Sequence, residues 1–244
     1  MRIEDRILCG DFREVDCPTN AAVVFVDPPY GIKKRYSDSY LDNEKFDYWV
    51  STIVEWSTAP WTLIIGPYQS MRGWLHKVPE YTRLLIWHKS FTRLNKYSRD
   101  FTYSLSPVLV YRKLNAPWYG PKEAGGASGK EGLDLITAHS QMGDSGRLAR
   151  LKLSKKDVNH PSATGTQFPL KLLPILSKEG DLVIDPMCGM GSILVAAIRL
   201  KRDIWGCELN SQYHQAAVKW VSWEYSNSTT RSMSSSGQTE RLLS

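Results

Sequence analysis

At 244 residues, with 42% hydrophobic and 23% charged side chains, the chain has the balance of a globular domain and enough length to bury a core without disulfides. No apolar run reaches the roughly eighteen residues of a membrane span. The start Met1-Arg2-Ile3-Glu4-Asp5-Arg6 has no apolar signal core, so a cytoplasmic protein without membrane association is expected. Cys9, Cys17, Cys188 and Cys207 lack the spacing of a metal knuckle and are too few for a disulfide framework, and a net charge of +6 points toward a polyanionic partner.

Along the chain, short apolar runs ending in turn residues alternate with amphipathic stretches. Ala21–Val26, Thr62–Ile65, Leu84–Trp87, Val108–Tyr111, Leu182–Ile184 and Ile204–Cys207 predict buried strands, because near-continuous Val, Ile and Leu suits a parallel sheet covered on both faces. Phe46–Trp56 predicts a helix, as does Leu170–Leu176, which Pro174 should shorten or kink. Ser192–Lys201 predicts another, capped by Ser192, with Arg199, Lys201 and Arg202 at its negative dipole end. The alternation predicts an α/β fold built on a doubly wound, mostly parallel sheet. Residues 83–113 hold seven basic residues against one acid, interleaved with aromatics, a pattern shared by nucleic-acid grooves and ordinary amphipathic strand pairs. From 114 to 158 strand and helix signals fade; seven glycines precede Arg147, Arg150, Lys152, Lys155 and Lys156, and the stretch reads as a functional insert. From 226 to 244 Ser and Thr dominate, and disorder is expected.

Two strand ends carry chemistry. The run Ala21–Val26 delivers Asp27-Pro28-Pro29-Tyr30 to the carboxyl edge, where open α/β sheets bind ligands. The prolines set φ and remove N–H groups, so the turn offers carbonyl and carboxylate acceptors beside an aromatic ring. The second is Leu182-Val183-Ile184-Asp185-Pro186-Met187-Cys188-Gly189-Met190-Gly191-Ser192: a strand, an acid, a glycine turn and a helix start. Glu208 ends the next strand, seventeen residues after Gly191, where a ribose-binding acid belongs. A dinucleotide site competes with this, although Leu194 replaces the third glycine of its fingerprint.

The two segments together resemble the amino-group DNA methyltransferases of the "beta" motif order, in which a D-P-P-Y segment precedes the F-x-G-x-G cofactor segment. Asp27-Pro28-Pro29-Tyr30 matches the first, and Met187-Cys188-Gly189-Met190-Gly191 the second, with Met187 in place of Phe. Ile7-Leu8-Cys9-Gly10-Asp11 is similar to the family's opening I-x-x-G-D, whose acid contacts the cofactor adenine. Asn159-His160-Pro161 to Thr166-Gln167-Phe168-Pro169-Leu170 resembles the H-P-T-Q-K-P segment, with four residues between Pro161 and Thr166 and Phe168 in place of Lys.

The resemblance implies a Rossmann-like methyltransferase using S-adenosylmethionine, with Asp27, Pro28, Pro29 and Tyr30 catalytic. Asp11, Thr166, Gln167, Asp185, Pro186, Gly189, Gly191, Ser192 and Glu208 would bind the cofactor. It further implies a methyltransferase domain over 1–225, with 114–158 as its target-recognition insert. Double-stranded DNA is the implied partner, and many members of the family are homodimers. D-P-P-Y goes more often with adenine N6 than with cytosine N4. Beside this stand an RNA or protein-amide methyltransferase and a decayed DNA-binding module. His139 and His160 have no partners at ligand spacing, so no metal is expected. Lys33-Lys34-Arg35 fits phosphate contacts or a solvated helix start, and Trp87-His88-Lys89 resembles a strand-end motif of the family.

Overall fold

The computed structural model describes residues 2–31, 44–89, 104–120, 134–138, 144–153 and 165–240, the last twelve as backbone alone. Lys33 to Arg35, His139, His160 and the basic residues Arg93, Lys96, Arg99, Lys155 and Lys156 lie outside them. Eight strands are described: β1 (Ile7–Cys9), β2 (Val23–Val26), β3 (Trp61–Ile65), β4 (Arg83–Lys89), β5 (Leu105–Arg112), β6 (Leu135–Ala138), β7 (Leu182–Asp185) and β8 (Asp203–Glu208). They form one sheet in the order β1-β8-β7-β2-β3-β5-β4-β6. β1, β8, β7, β2 and β3 run parallel, β5 runs antiparallel to β3 and β4, and β6 pairs parallel to β4. This is the doubly wound, mostly parallel sheet the alternation predicts.

Helices cover both faces: α1 (Phe46–Trp56) and α2 (Met71–Trp74) on one, α4 (Gln167–Leu176), α5 (Ser192–Arg199) and α6 (Ser211–Glu240) on the other, with α3 (Ser145–Arg150) between β6 and α4 in sequence. The strands are apolar on both sides because both sides are covered. Val23 and Phe25 join the core under α4 and α5, whereas Val24 and Val26 join the core under α1. Residues 192–198 of α5 are all buried, since this helix lies between the sheet and α6. Gly206 makes that seating close: a Cβ there would fall 2.6 Å from Leu194 Cδ1.

Four features differ from the sequence expectation. Gly191, not Ser192, occupies the cap of α5; its φ of 84° suits glycine alone, and Ser192 is the first helical residue, without a capping bond. α4 begins at Gln167, earlier than predicted, with Pro169 in the first turn where its missing N–H costs nothing, and it carries Pro174 to within two residues of its end. The insert contributes secondary structure, β6 and α3, because an edge strand of four residues gains its order from pairing with β4 rather than from its own composition. The Ser/Thr-rich stretch from 226 is helical to Glu240 rather than disordered. α6 is capped by Asn210 Oδ1, which accepts from Gln212 N at 2.9 Å and Tyr213 N at 3.1 Å, and extending an existing helix needs no new nucleus.

A buried ionic cluster joins these pieces. Arg199 donates from Nη2 to Asp144 Oδ1 and Glu224 Oε2, each at 2.8 Å, and from Nη1 to Thr166 Oγ1 at 2.8 Å. Thr166 in turn donates to Asp144 Oδ2 at 2.7 Å. The insert, α4, α5 and α6 therefore meet at one guanidinium, whose planar fork can serve several oxygens at once.

Candidate active site

Parallel pairing of β2 with β7 brings the two chemical segments to one edge. Val24 lies opposite Ile184, so Asp185 stands level with Phe25 and Asp27 two residues further on. One strand spacing and two residue rises separate their Cα atoms by about 8 Å. Side chains alternate along each strand, so Asp27 follows Phe25 and Asp185 follows Val183 toward the same face, the one covered by α4 and α5.

At the β2 tip, Pro28 is buried and Asp27, Pro29 and Tyr30 are half-buried. The Tyr30 hydroxyl donates to Asp27 Oδ1 at 2.5 Å, and the ring stands edge-on to Phe46 at 6.0 Å. At the β7 tip Asp185 is 2% exposed and accepts from Met187 N at 3.2 Å. Burial raises its carboxyl well above the usual carboxylate range, the Met187 N–H opposes that shift, and the charges of Asp27 and Glu208 add to it. Pro186 is buried behind it.

The glycine turn is held open by backbone conformation: φ is 53° at Gly189 and 84° at Gly191. Gly189 N donates to Glu208 Oε2 and Asn210 N to Glu208 Oε1, both at 2.8 Å. Burial raises the Glu208 carboxyl and these N–H groups oppose it. Each Glu208 oxygen keeps a lone pair for a hydroxyl. β1 is the outer neighbour of β8, and Asp11 follows it on the same rim. Its carboxylate is held by Arg13, through Arg13 N at 3.0 Å, Nε at 2.9 Å and Nη2, which lowers its proton affinity. Arg13 also donates to the Tyr48 hydroxyl at 3.0 Å and lies 5.4 Å from the Trp49 ring centre.

Asp27, Asp185, Gly189 and Glu208 thus share the carboxyl edge of β2, β7 and β8, with Asp11 one strand outward. Thr166 stands apart: it is fully buried in the Arg199 cluster, and Gln167 beside it keeps a half-exposed surface. Ser192 is buried at the start of α5.

Two residues enter that the sequence reading named only within family-like motifs and gave no role. Lys89 ends β4 and follows Trp87 toward the face that Asp27 occupies. Its Nζ lies 4.8 Å from the Trp87 ring centre; burial lowers its proton affinity, and the charge of Asp27 opposes that. Phe168 joins β4 to β2 on this face, stacked on Trp87 at 4.7 Å and edge-on to Phe25 at 6.0 Å. The signal for Lys89 was the period-2 step from a buried Trp at a strand end. His88 points the other way, its Nδ1 3.3 Å from Thr137 Oγ1. Among the described residues no group of His, Cys, Asp and Glu is arranged to hold a metal, and no helix is long and apolar enough to cross a membrane.

Residues 74–219, more than half of the chain, match the profile of the DNA methylase family of N6 and N4 methyltransferases. The type II methyltransferase M2.DpnII of Streptococcus pneumoniae is 28% identical over 137 residues, 55% of this chain and 48% of that protein, so the chain spans about half the length of this curated relative. Among solved structures, M1.HpyAVI in complex with SAM is similar with a TM-score of 0.59 and 19% identity, over 88% of this chain and 98% of that one. The cytosine-N4-specific PvuII DNA methyltransferase gives 0.63 at 15% identity, over 90% of each chain. At such identities the likeness shows the shared Rossmann-like fold. The profile match, which covers β4 through the first turns of α6 and includes the glycine turn, settles the family: the chain belongs to the N6/N4 DNA methylases.

Proposed function

We propose that the protein transfers a methyl group from S-adenosylmethionine to the exocyclic amine of a base in double-stranded DNA, with adenine N6 as the target. The observation that carries this reading is the meeting of the Asp27 and Asp185 tips on adjacent parallel strands of a DNA methylase chain. The residues present fit the cofactor: an open glycine turn at a helix start, a buried and a half-buried carboxylate at two neighbouring strand ends, and a third on the same rim. In the proposed arrangement Glu208 accepts from the ribose hydroxyls and Asp11 from the adenine amine. Asp185, Pro186, Gly189, Gly191 and Ser192 line the side that carries the methionine part, and Gln167 closes it with Thr166 behind.

When bound, the cofactor supplies a methyl carbon on a positively charged sulfur, and its C–S bond breaks as the amine nitrogen bonds to that carbon. The chain's own work is to prepare the amine. Its lone pair is delocalised into the base ring, and N–H bonds to the Asp27 carboxylate and the Pro28 carbonyl favour a pyramidal nitrogen whose pair is localised. The Tyr30 ring stacks on the base once it has left the duplex. The surplus proton on the methylated nitrogen is acidic and passes to water. The insert from 114 to 158 reads the target, and the basic residues of α3 and its end, Arg147, Arg150 and Lys152, meet phosphates.

The preference for adenine rests on the D-P-P-Y resemblance, since both amines need the same acceptors. Purified protein incubated with isotopically labelled S-adenosylmethionine and genomic duplex DNA, followed by nucleoside mass spectrometry, tests the proposal. Labelled N6-methyladenine is expected. Labelled N4-methylcytosine alone would replace the target base, and label on RNA or protein with none on DNA would overturn the substrate class. Single-molecule sequencing of the same DNA reports the recognised sequence.

A further inference from the structure

One acid on the rim carries a guanidinium of its own. Gly10 N donates to Glu208 O at 3.0 Å, so Asp11 stands one residue beyond a backbone bond to the acid that the proposed arrangement gives the ribose. Arg13 turns back on Asp11 with three donors: its backbone N at 3.0 Å and Nε at 2.9 Å to Oδ1, and Nη2 to Oδ2. Two bonds fill the lone pairs of Oδ1, and among the described residues Oδ2 accepts one and keeps a pair. The side chain of Asp11 is 19% exposed, within reach of a ligand on the rim.

An exposed ion pair between near neighbours is ordinarily loose. This one is braced from the far side. Arg13 Nη1 donates to the Tyr48 hydroxyl at 3.0 Å, and the guanidinium carbon lies 5.4 Å from the Trp49 ring centre. Both aromatics belong to α1, and Trp49 is buried in the core under that helix. All three guanidinium nitrogens are therefore engaged, and the conformations of Arg13 and Asp11 are set before any ligand arrives.

A carboxylate so held is an acceptor only. The 6-amino group of adenine donates to it, whereas a 6-oxo group presents an oxygen and is repelled. In an acid that was protonated, that contrast would fade, because its O–H can donate to the oxo group. The bonds from Arg13 hold the Asp11 carboxyl below the usual range against the opposing effect of burial. We propose that Arg13 is a positioning residue that fixes Asp11 as an acceptor and so sets which purine the cofactor site takes: amino over oxo. In this role it acts through Asp11 and need not touch the ligand. The inference rests on the cofactor placement proposed above.

The test compares two ligands by calorimetry on the full chain: S-adenosylhomocysteine, and S-inosylhomocysteine, whose base carries a 6-oxo group where adenine has the amine. The wild type should bind the adenosyl compound more tightly by about tenfold or more, the scale of one hydrogen bond to a charged acceptor. Arg13→Gln should cut that preference to about threefold or less. Asp11→Asn should bring it near unity, since an amide can offer the base either its oxygen or its nitrogen, and adding Arg13→Gln to Asp11→Asn should change it no further. Lost folded protein or a general slackening of the loop affects both ligands alike and leaves the ratio in place. A ratio in Arg13→Gln equal to that of the wild type therefore overturns the proposal, whatever the absolute affinities. So does an equal effect of Arg13→Gln in the Asp11→Asn background, and so does a wild type that binds both ligands alike. A wild type that binds neither refutes the proposed cofactor instead, before the variants are compared.

Discussion

Asp27 and Asp185 are both strand-end acids on one face, yet their surroundings divide the work. Asp27 is half-buried and held by a hydroxyl, whereas Asp185 is enclosed and accepts a single backbone N–H. Asp27→Ala should lower the single-turnover rate about a hundredfold or more, the scale of losing one preorganised polar partner of the transition state, while calorimetry shows cofactor affinity largely kept. Asp185→Asn should do the reverse to stability and binding. Its folded-state carboxyl titrates above its unfolded value, so the folded chain takes up that proton first and stability rises as pH falls through the raised midpoint. At neutral pH the buried carboxyl is therefore a cost. The neutral amide should therefore raise the Tm by a few degrees at pH 7, flatten the pH dependence of the Tm and weaken cofactor binding. Thermal melts across pH, wild type against variant, give the answer.

Elements differ in how plainly the sequence announces them. β2, β7, α1 and the glycine turn were legible because their apolar periodicity, their ends and their chemistry coincide; α1 begins and ends where Phe46 and Trp56 predict. β6 and α3 were hidden because the residues that make them are few and ordered by distant partners: Trp87 Nε1 bonds to Ala138 O at 3.0 Å, and Asp144 sits under Arg199. Arg199 shows the limit of local reasoning. It ends a helix and so reads as a dipole partner, but its side chain turns inward to Asp144, Glu224 and Thr166, none of which is near it in sequence. Arg199→Met would take the central cation from two buried acids, leaving Asp144 its longer contact to Arg147 at 3.4 Å, and should cost about 3 kcal/mol or more of unfolding free energy. Urea denaturation checks this, and Arg199→Lys should recover only part of the loss, since an ammonium cannot serve three oxygens with one rigid fork.

For the whole molecule, the net charge of +6 and the exposed Arg150 and Lys152 set the expected response to salt. DNA affinity should fall steeply with ionic strength. The double substitution Arg150→Gln with Lys152→Gln should reduce the slope of log K against log salt by about two, without altering the methylated sequence. Fluorescence anisotropy over a salt series reads the slope. In the proposed reading, the sequence along the DNA is read by the insert. β6, supplied by the insert, is the last described strand of the sheet and stands four strand spacings, about 19 Å, from β2. The described parts of the insert are tied to the rest of the chain by the β6–β4 pairing, by the Arg199 cluster, and by bonds from Tyr119 N to Ile175 O at 2.8 Å and from Lys171 Nζ to Thr137 O at 2.7 Å. Under the proposed reading, the residues that choose the sequence therefore stand well away along the sheet from those that prepare the amine.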